Sequence, residues 1–208
     1  MEQIIIKNLW KSYDSLTVLK NVDLTLDRDQ TYCLMSPSGT GKTTLFRILM
    51  GLEKADEGEI VWNASSSSGF GSDRDVSRPL RISTVFQEDR LCPQLNAIQN
   101  VELVLPEGKT KYREQIHNDF LQIGLDEAAL SLPARKLSGG QKRRAALLRA
   151  LWAESDTLLL DEPFTGMDPD TMKKAAALLK ERCGEKVVLL ATHDQEAIQE
   201  LGWRVMEL

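Results

Sequence analysis

With 208 residues, 42% of them hydrophobic and 27% charged, the chain suits one domain with a real core. Its formal net charge of -5 and isoelectric point near 5.2 argue against a nucleic-acid partner. No apolar run approaches the length that spans a bilayer, and "MEQIIIKNLWK", with an early acid and three consecutive apolar residues, is not a signal peptide. Any membrane part of the working assembly is therefore expected on another polypeptide. Cys33, Cys92 and Cys183 are odd in number, far apart and without metal-ligand spacing, which reads as reduced thiols of the cytosol.

In chain order, "IIIKNL", "VDLTL" and "TYCLM" read as short strands. After Lys42 the period becomes helical, with Leu45, Ile48 and Leu49 on one face and Gly51 as the stop. "GEIVW" is a further strand, and the small polar run "ASSSSGFGSDRD" (64–75) is a flexible surface loop. "RISTVF" returns to a strand. From Asn96 to about Leu130 the chain turns mostly helical, and another helix runs from Ser138 through Ala153. "DTLLLDEP" is a buried strand cut off by two acids and a proline. A helix after Asp168, the strand "KVVLLATH", a short helix from Asp194 and the strand "WRVMEL" complete the chain. There is no internal repeat.

Strands alternating with helices predict an α/β fold with a mostly parallel sheet covered on both faces. The strand-rich start predicts an added antiparallel layer near the N-terminus. Residues 1–208 are expected to form a single domain. Within it, 1–87 and 151–208 make the core, and about 88–150 an inserted helical subdomain.

The chemistry starts at "SPSGTGKTT", Ser36 to Thr44. It matches the phosphate-loop pattern G-x-x-x-x-G-K-[ST] except that Ser36 stands at the first glycine. A strand, a small-residue turn and a helix starting at Lys42 gather backbone N–H groups and the positive end of a helix dipole around one point. Gly39 and Gly41 allow close backbone approach, Lys42 reaches the terminal phosphates, and the Thr43 hydroxyl ligates Mg²⁺. The remaining loop residues, Pro37, Ser38, Thr40 and Thr44, complete the cradle. Serine at position 36 is expected to cost about 1 kcal/mol or less in backbone strain, so nucleotide binding survives.

"TLLLDEP" delivers Asp161 and Glu162 to the carboxyl edge of the sheet, where such folds bind ligands. Asp161 is placed to hold Mg²⁺ and Glu162 to polarise an attacking water as general base. "LSGGQKRRAALLRAL" makes a second anion-binding helix terminus, with Ser138 as N-cap and Gly139 and Gly140 leaving the first amides uncovered. A second anion site without a second phosphate loop implies a second copy arranged head to tail, with two nucleotides at the interface. Taken singly, each motif has a plainer reading. These are a glycine-rich turn, an acidic strand end in solvent, and a capped helix with a solvated Lys142–Arg144 face.

Together the motifs resemble the nucleotide-binding subunit of ABC transporters, with "LSGGQ", "TLLLDEP", "GMDPD" and "ATHD" in that family's order over nearly the whole chain. The resemblance implies the P-loop ABC-ATPase fold, ATP and Mg²⁺, and further site residues. Gln87, in "VFQEDR", touches Mg²⁺ or the attacking water and reports to the membrane partner. Asp168 lies in a loop bridging the two sites of the dimer, and His193 bonds the γ-phosphate. Tyr13, in "LWKSYDS", stacks on adenine, with Trp10 as the other candidate ring. Ser138, Gly139, Gly140 and Gln141 face the partner copy's nucleotide. The family usually has a glycine within "DRDQTY" (27–32), and its absence is expected to alter only a surface turn.

The resemblance further implies a cytoplasmic ATPase on the inner face of the cell membrane. It pairs with integral membrane transporter subunits near Gln87 and, through them, with an extracytoplasmic solute-binding protein. "VFQEDRLCPQLNAIQNV" is similar to the segment in ATPases of nitrate, sulfonate and taurine-like importers, which points to import of a small solute. The alternatives are an exporter or lipid-handling ATPase, or a non-transport switch. No N-K-x-D motif supports a GTPase.

Overall fold

Alternating apolar residues build the first layer. Strands β1 (Gln3–Tyr13) and β2 (Leu16–Asp27) form an antiparallel hairpin, and β4 (Glu57–Asn63) pairs with the other edge of β1. Ile4, Ile6 and Leu9 of β1 and Leu19, Leu24 and Leu26 of β2 are buried, so one face of this sheet is core. Both strands extend well past the runs 4–9 and 22–26 that apolar content marks. Backbone pairing carries them through the polar stretch up to Tyr13↔Leu16, across register shifts between Ile6 and Ser12. The computed structural model describes residues 3–35, 39–63, 80–106 and 109–208. The polar run 64–75 therefore lies outside the described residues.

The turn from β2 into β3 (Thr31–Met35) places Asp29 at φ 64°, left-handed backbone that aspartate tolerates better than most residues. The turn without glycine is thus made by Asp29 at the exposed surface, as expected.

Strand β3 is the fourth of five in a second sheet, with β5 (Ile82–Val85), β6 (Thr157–Asp161), β7 (Val187–Ala191) and β8 (Arg204–Glu207) in the order β5-β6-β7-β3-β8. Every neighbouring pair is parallel. All residues of β6 and β7 are buried, as a strand covered on both faces requires. Side chains alternate between two cores. Cys33, Leu158, Leu160, Val188 and Leu190 face helices α2 (Ala97–Glu102), α3 (Arg113–Gln122), α4 (Glu127–Ser131), α5 (Gly139–Trp152), α6 (Pro169–Arg182) and α7 (Gln195–Leu201). Tyr32, Leu34, Leu159, Leu189 and Ala191 face α1 (Lys42–Leu49) and the antiparallel sheet.

The helical stretch expected from Asn96 starts there, with Asn96 and Gln99 closing a reciprocal cap, but it breaks into three short helices by Ser131. Ser138 and Ala153 bound α5 at the expected residues. One buried carboxylate ties α3, α5 and α6 together. Asp119 accepts from Arg182 Nη2 at 2.6 Å and from Trp152 Nε1 at 2.9 Å. Among the described residues no helix is long and apolar enough to cross a membrane.

Candidate active site

Because β3, β5, β6 and β7 run parallel, the loops leaving their carboxyl ends meet at one edge of the sheet. The loop from β3 into α1 comes first. Ser36, Pro37 and Ser38 lie outside the described residues. Gly39 and Gly41 have φ of 85° and 96°, which glycine adopts without strain. Gly41 is the N-cap of α1 and no side chain caps that helix, so the positive end of its dipole lies at the loop. The loop is backed by the hairpin: a Cβ on Gly41 would lie 2.5 Å from the Val18 carbonyl oxygen.

A cavity of about 510 Å³ opens at this edge. Gly39, Gly41, Lys42, Thr43 and Thr44 border it from the loop, Gln87 from the end of β5, Asp161 and Glu162 from β6, and His193 from β7. Thr43 Oγ1 donates to Asp161 Oδ2 at 2.8 Å, joining two of the expected metal-holding residues. Burial pushes the Asp161 carboxyl above its ordinary value, the Thr43 hydroxyl pulls it back, and the charge of Glu162 adds to the upward push.

Glu162 has φ 49°, a strained value for glutamate, and its amide donates to the Ala191 carbonyl at 2.9 Å. Its carboxylate accepts from Thr192 Oγ1 at 3.0 Å and from His193 Nδ1 at 2.7 Å. Thr192 is a contact of Glu162 that the motifs did not flag. It is buried, and its hydroxyl also accepts from the Asp194 amide at 3.1 Å. Its place after an all-apolar strand was the available signal, because a buried hydroxyl needs a partner.

The basic face Lys142–Arg144 is not simply solvated. Arg143 is 7% exposed, borders the cavity, and donates to the carbonyls of Phe86 and Gln87. A guanidinium that reaches two loop carbonyls overrides the surface preference of a basic residue.

The other expected site residues do not line this cavity. Ser138 Oγ accepts from the Gln141 amide and Gln141 Oε1 from the Ser138 amide, a reciprocal cap on α5 that leaves out the amides of Gly139 and Gly140. Gly140 is close-packed: a Cβ there would lie 2.6 Å from the Gly166 carbonyl oxygen, while one on Gly139 meets nothing. Asp168 caps α6, and the Thr171 hydroxyl and amide hold its carboxyl below the ordinary value. Tyr13 ends β1 with its ring 40% exposed and Lys11 Nζ 5.4 Å from the ring centroid, whereas Trp10 is half-buried. Thr40 sits in the loop between the two bordering glycines.

The donor set fits a small hard cation. Mg²⁺ takes oxygen ligands and is commonly bound by one or two carboxylates together with substrate phosphates. Here the Thr43 hydroxyl, the Asp161 carboxylate and Gln87 border one cavity beside Lys42.

Residues 19–165 match the family described as ABC transporter. The chain is 39% identical over 198 residues to the aliphatic sulfonates import ATP-binding protein SsuB 1 of Rhodococcus jostii, covering 94% of this chain and 75% of that protein. It is 36% identical over 198 residues to the Fe(3+) ions import ATP-binding protein FbpC of Mesorhizobium japonicum, again over 94% of this chain but only 54% of that longer relative. Its fold superposes on the dimeric structure of MJ0796, a bacterial ABC transporter cassette, with a TM-score of 0.79 and 30% identity, covering 99% of this chain and 94% of that one. A post-hydrolysis structure of the same cassette, dimeric and bound to ADP and Pi, matches with a TM-score of 0.78 and 29% identity over the same shares. On the P-loop architecture, the converging loops and these likenesses, the chain belongs to the ABC transporter family, as an ATP-binding cassette of the ATPase type.

Proposed function

We propose that this cassette hydrolyses ATP as half of a head-to-tail homodimer and so drives import of a small solute through integral membrane subunits. One observation carries the reading. The Glu162 carboxylate is held by Thr192 and His193 in the same cavity as Lys42 and the Thr43–Asp161 pair.

In this reading the amides of Gly39 through Thr44 and the Lys42 ammonium hold the phosphates. Glu162 accepts the proton of the attacking water, and His193, whose Nδ1 faces Glu162, turns its other nitrogen to the γ-phosphate. Mg²⁺, held by Thr43, Asp161 and Gln87, would neutralise charge on the β- and γ-oxygens. Tyr13, the more exposed of the two candidate rings, stacks on adenine.

The α5 terminus at Ser138–Gln141 is an anion-binding end that its own cavity does not use. A twofold partner gives it a γ-phosphate to bind, with Asp168 at the bridge between sites. The MJ0796 structures, described as dimeric, support a homodimer. Import is supported by relatives named for sulfonates and Fe(3+) ions, and a sulfonate-like anion is the solute class we favour. We assign 1–87 and 151–208 as catalytic core and about 88–150 as a helical subdomain. Membrane subunits dock on that subdomain near Gln87 at the inner face of the membrane, with a solute-binding protein on the far side. The test is ATP hydrolysis with Glu162→Gln. Turnover should vanish while ATP stabilises a dimer on gel filtration; an unchanged rate would overturn the assignment.

A further inference from the structure

Arg143 projects from α5 to the loop after β5. Nη1 donates to the Phe86 carbonyl at 2.5 Å, Nη2 donates to the Gln87 carbonyl, and Nε faces Asp89 Oδ1 at 3.3 Å. Two of the three nitrogens thus hold carbonyls of the same short loop, and the third faces its carboxylate at ion-pair distance. With the residue 7% exposed, water would not replace these bonds if the side chain were lost. Farther along α5, Arg149 donates to the Arg90 carbonyl at 2.7 Å and to the Asp89 carbonyl at 3.1 Å.

Two arginines of one helix therefore take the carbonyls of residues 86, 87, 89 and 90. Surface loops ordinarily turn such groups to water. The loop adds its own brace, with the Arg90 guanidinium 4.0 Å from the Phe86 ring centroid. The result is a loop fixed to the helix that begins at Ser138, although its sequence neighbour is the sheet.

We infer that Arg143 is a positioning residue for Gln87. It anchors the backbone from which Gln87 borders the cavity, so that Gln87 moves with α5 and not with the strand before it. This rests on the reading of the cavity as an ATPase site. Arg143 borders the cavity too, yet its two Nη atoms are engaged by loop carbonyls and its Nε faces Asp89, so it acts through Gln87 and not on phosphate. Phosphate grip belongs to the loop 39–44 and α1. Loss of Arg143 should therefore lower kcat and cost no nucleotide affinity beyond what losing Gln87 costs.

The test is a cycle of wild type, Arg143→Met, Gln87→Ala and the double variant. It is read by steady-state ATP hydrolysis, titration with a non-hydrolysable ATP analogue, and thermal melting. Each single variant should lower kcat by about 100-fold, the scale of a small misplacement at a reacting centre. The double variant should lose no more than either single one, and its analogue affinity should match that of Gln87→Ala alone. Losses that multiply, or an affinity loss caused by Arg143→Met in the Gln87→Ala background, would overturn the inference. Arg143→Lys keeps the charge but cannot span two carbonyls and a carboxylate, so it should behave like Arg143→Met. A wild-type rate in Arg143→Lys would also overturn it. If Arg143→Met does not fold, Arg143→Lys takes its place in the cycle. A wild-type chain that never hydrolyses ATP would remove the underlying reading; hydrolysis with multiplied losses would remove only the role of Arg143.

Discussion

Nδ1 of His193 lies 2.7 Å from Oε1 of Glu162, so the residue leaving β7 holds the carboxylate leaving β6. The second carboxylate oxygen is held by Thr192, the neighbour of His193. One strand exit therefore fixes the orientation of the proposed base. The His193 side chain is 70% exposed, so its loss should cost geometry more than stability. His193→Ala should lower ATP turnover by about 10²- to 10³-fold, as loss of one preorganised group does. Its unfolding free energy should stay within about 0.5 kcal/mol of wild type. Hydrolysis assays with parallel melting curves check both, and a near-normal rate would remove His193 from the site.

The left-handed backbone at Glu162 predicts a contrast between two inactive variants. Glu162→Ala keeps the strain of a Cβ at φ 49°, and Glu162→Gly does not. Glu162→Gly should be the more stable by about 1 kcal/mol, after allowing for the greater freedom of glycine in the unfolded chain. Urea denaturation of the pair measures this. Equal midpoints would mean the strain is not stored there.

The two glycines of the α5 terminus should respond differently to one methyl group. Gly139→Ala enters open space, and alanine suits a helix. Gly140→Ala drives a Cβ into the Gly166 carbonyl and must displace the loop that joins Glu162 to Asp168. Gly140→Ala should therefore lose about 1–3 kcal/mol of stability, the usual cost of overpacking, and most of its turnover. Gly139→Ala should melt at or above the wild-type temperature. Identical behaviour of the two variants would sink the packing argument.

The Asp119–Arg182 pair gives a pH-dependent prediction. Burial pushes the Asp119 carboxyl up, while Arg182 and the Trp152 N–H pull it down. Removing Arg182 leaves a buried carboxylate uncompensated. Arg182→Met should cost about 2 kcal/mol at neutral pH, a figure lowered because Arg182 is partly exposed. A raised carboxyl favours the folded state at low pH and loses that advantage as pH rises through its folded value. The deficit of Arg182→Met should therefore shrink as pH falls into the carboxylate range and Asp119 takes a proton. Asp119→Asn should be milder at neutral pH. Denaturation at several pH values tests it, and a pH-independent deficit would point to lost packing alone.

Chemistry written in neighbouring letters was directly legible. Gly39, Gly41, Lys42 and Thr43 encode backbone freedom, charge and a hydroxyl within a few residues, and the cavity gathers them where that pattern implies. Asp161 and Glu162 were legible because an all-apolar strand must end somewhere, and the polar residues at its end reach the sheet edge. Arg143 was not, since its partners lie 57 and 56 residues away and a bond to a backbone carbonyl leaves no mark on the partner's identity. The length of β1 and β2 was hidden for the same reason: pairing through "KSYDSLT" is backbone chemistry beneath polar side chains. The 88–150 stretch read as helical, but the places where it breaks are set by packing against the sheet and not by local periodicity.

The contact between Gly41 and Val18 leaves no space for a methyl group, so the phosphate loop and the hairpin are packed backbone to backbone there. Tyr13 sits at the tip of that hairpin and Lys42 just beyond that glycine. On the proposed reading they are the two jaws of a gauge, carried on supports that meet backbone to backbone. The length of a nucleotide is then read beyond the lysine, at Glu162. One phosphate fewer leaves ring and lysine occupied while the far end, at Glu162, falls empty, so the spent molecule is gripped at one end only.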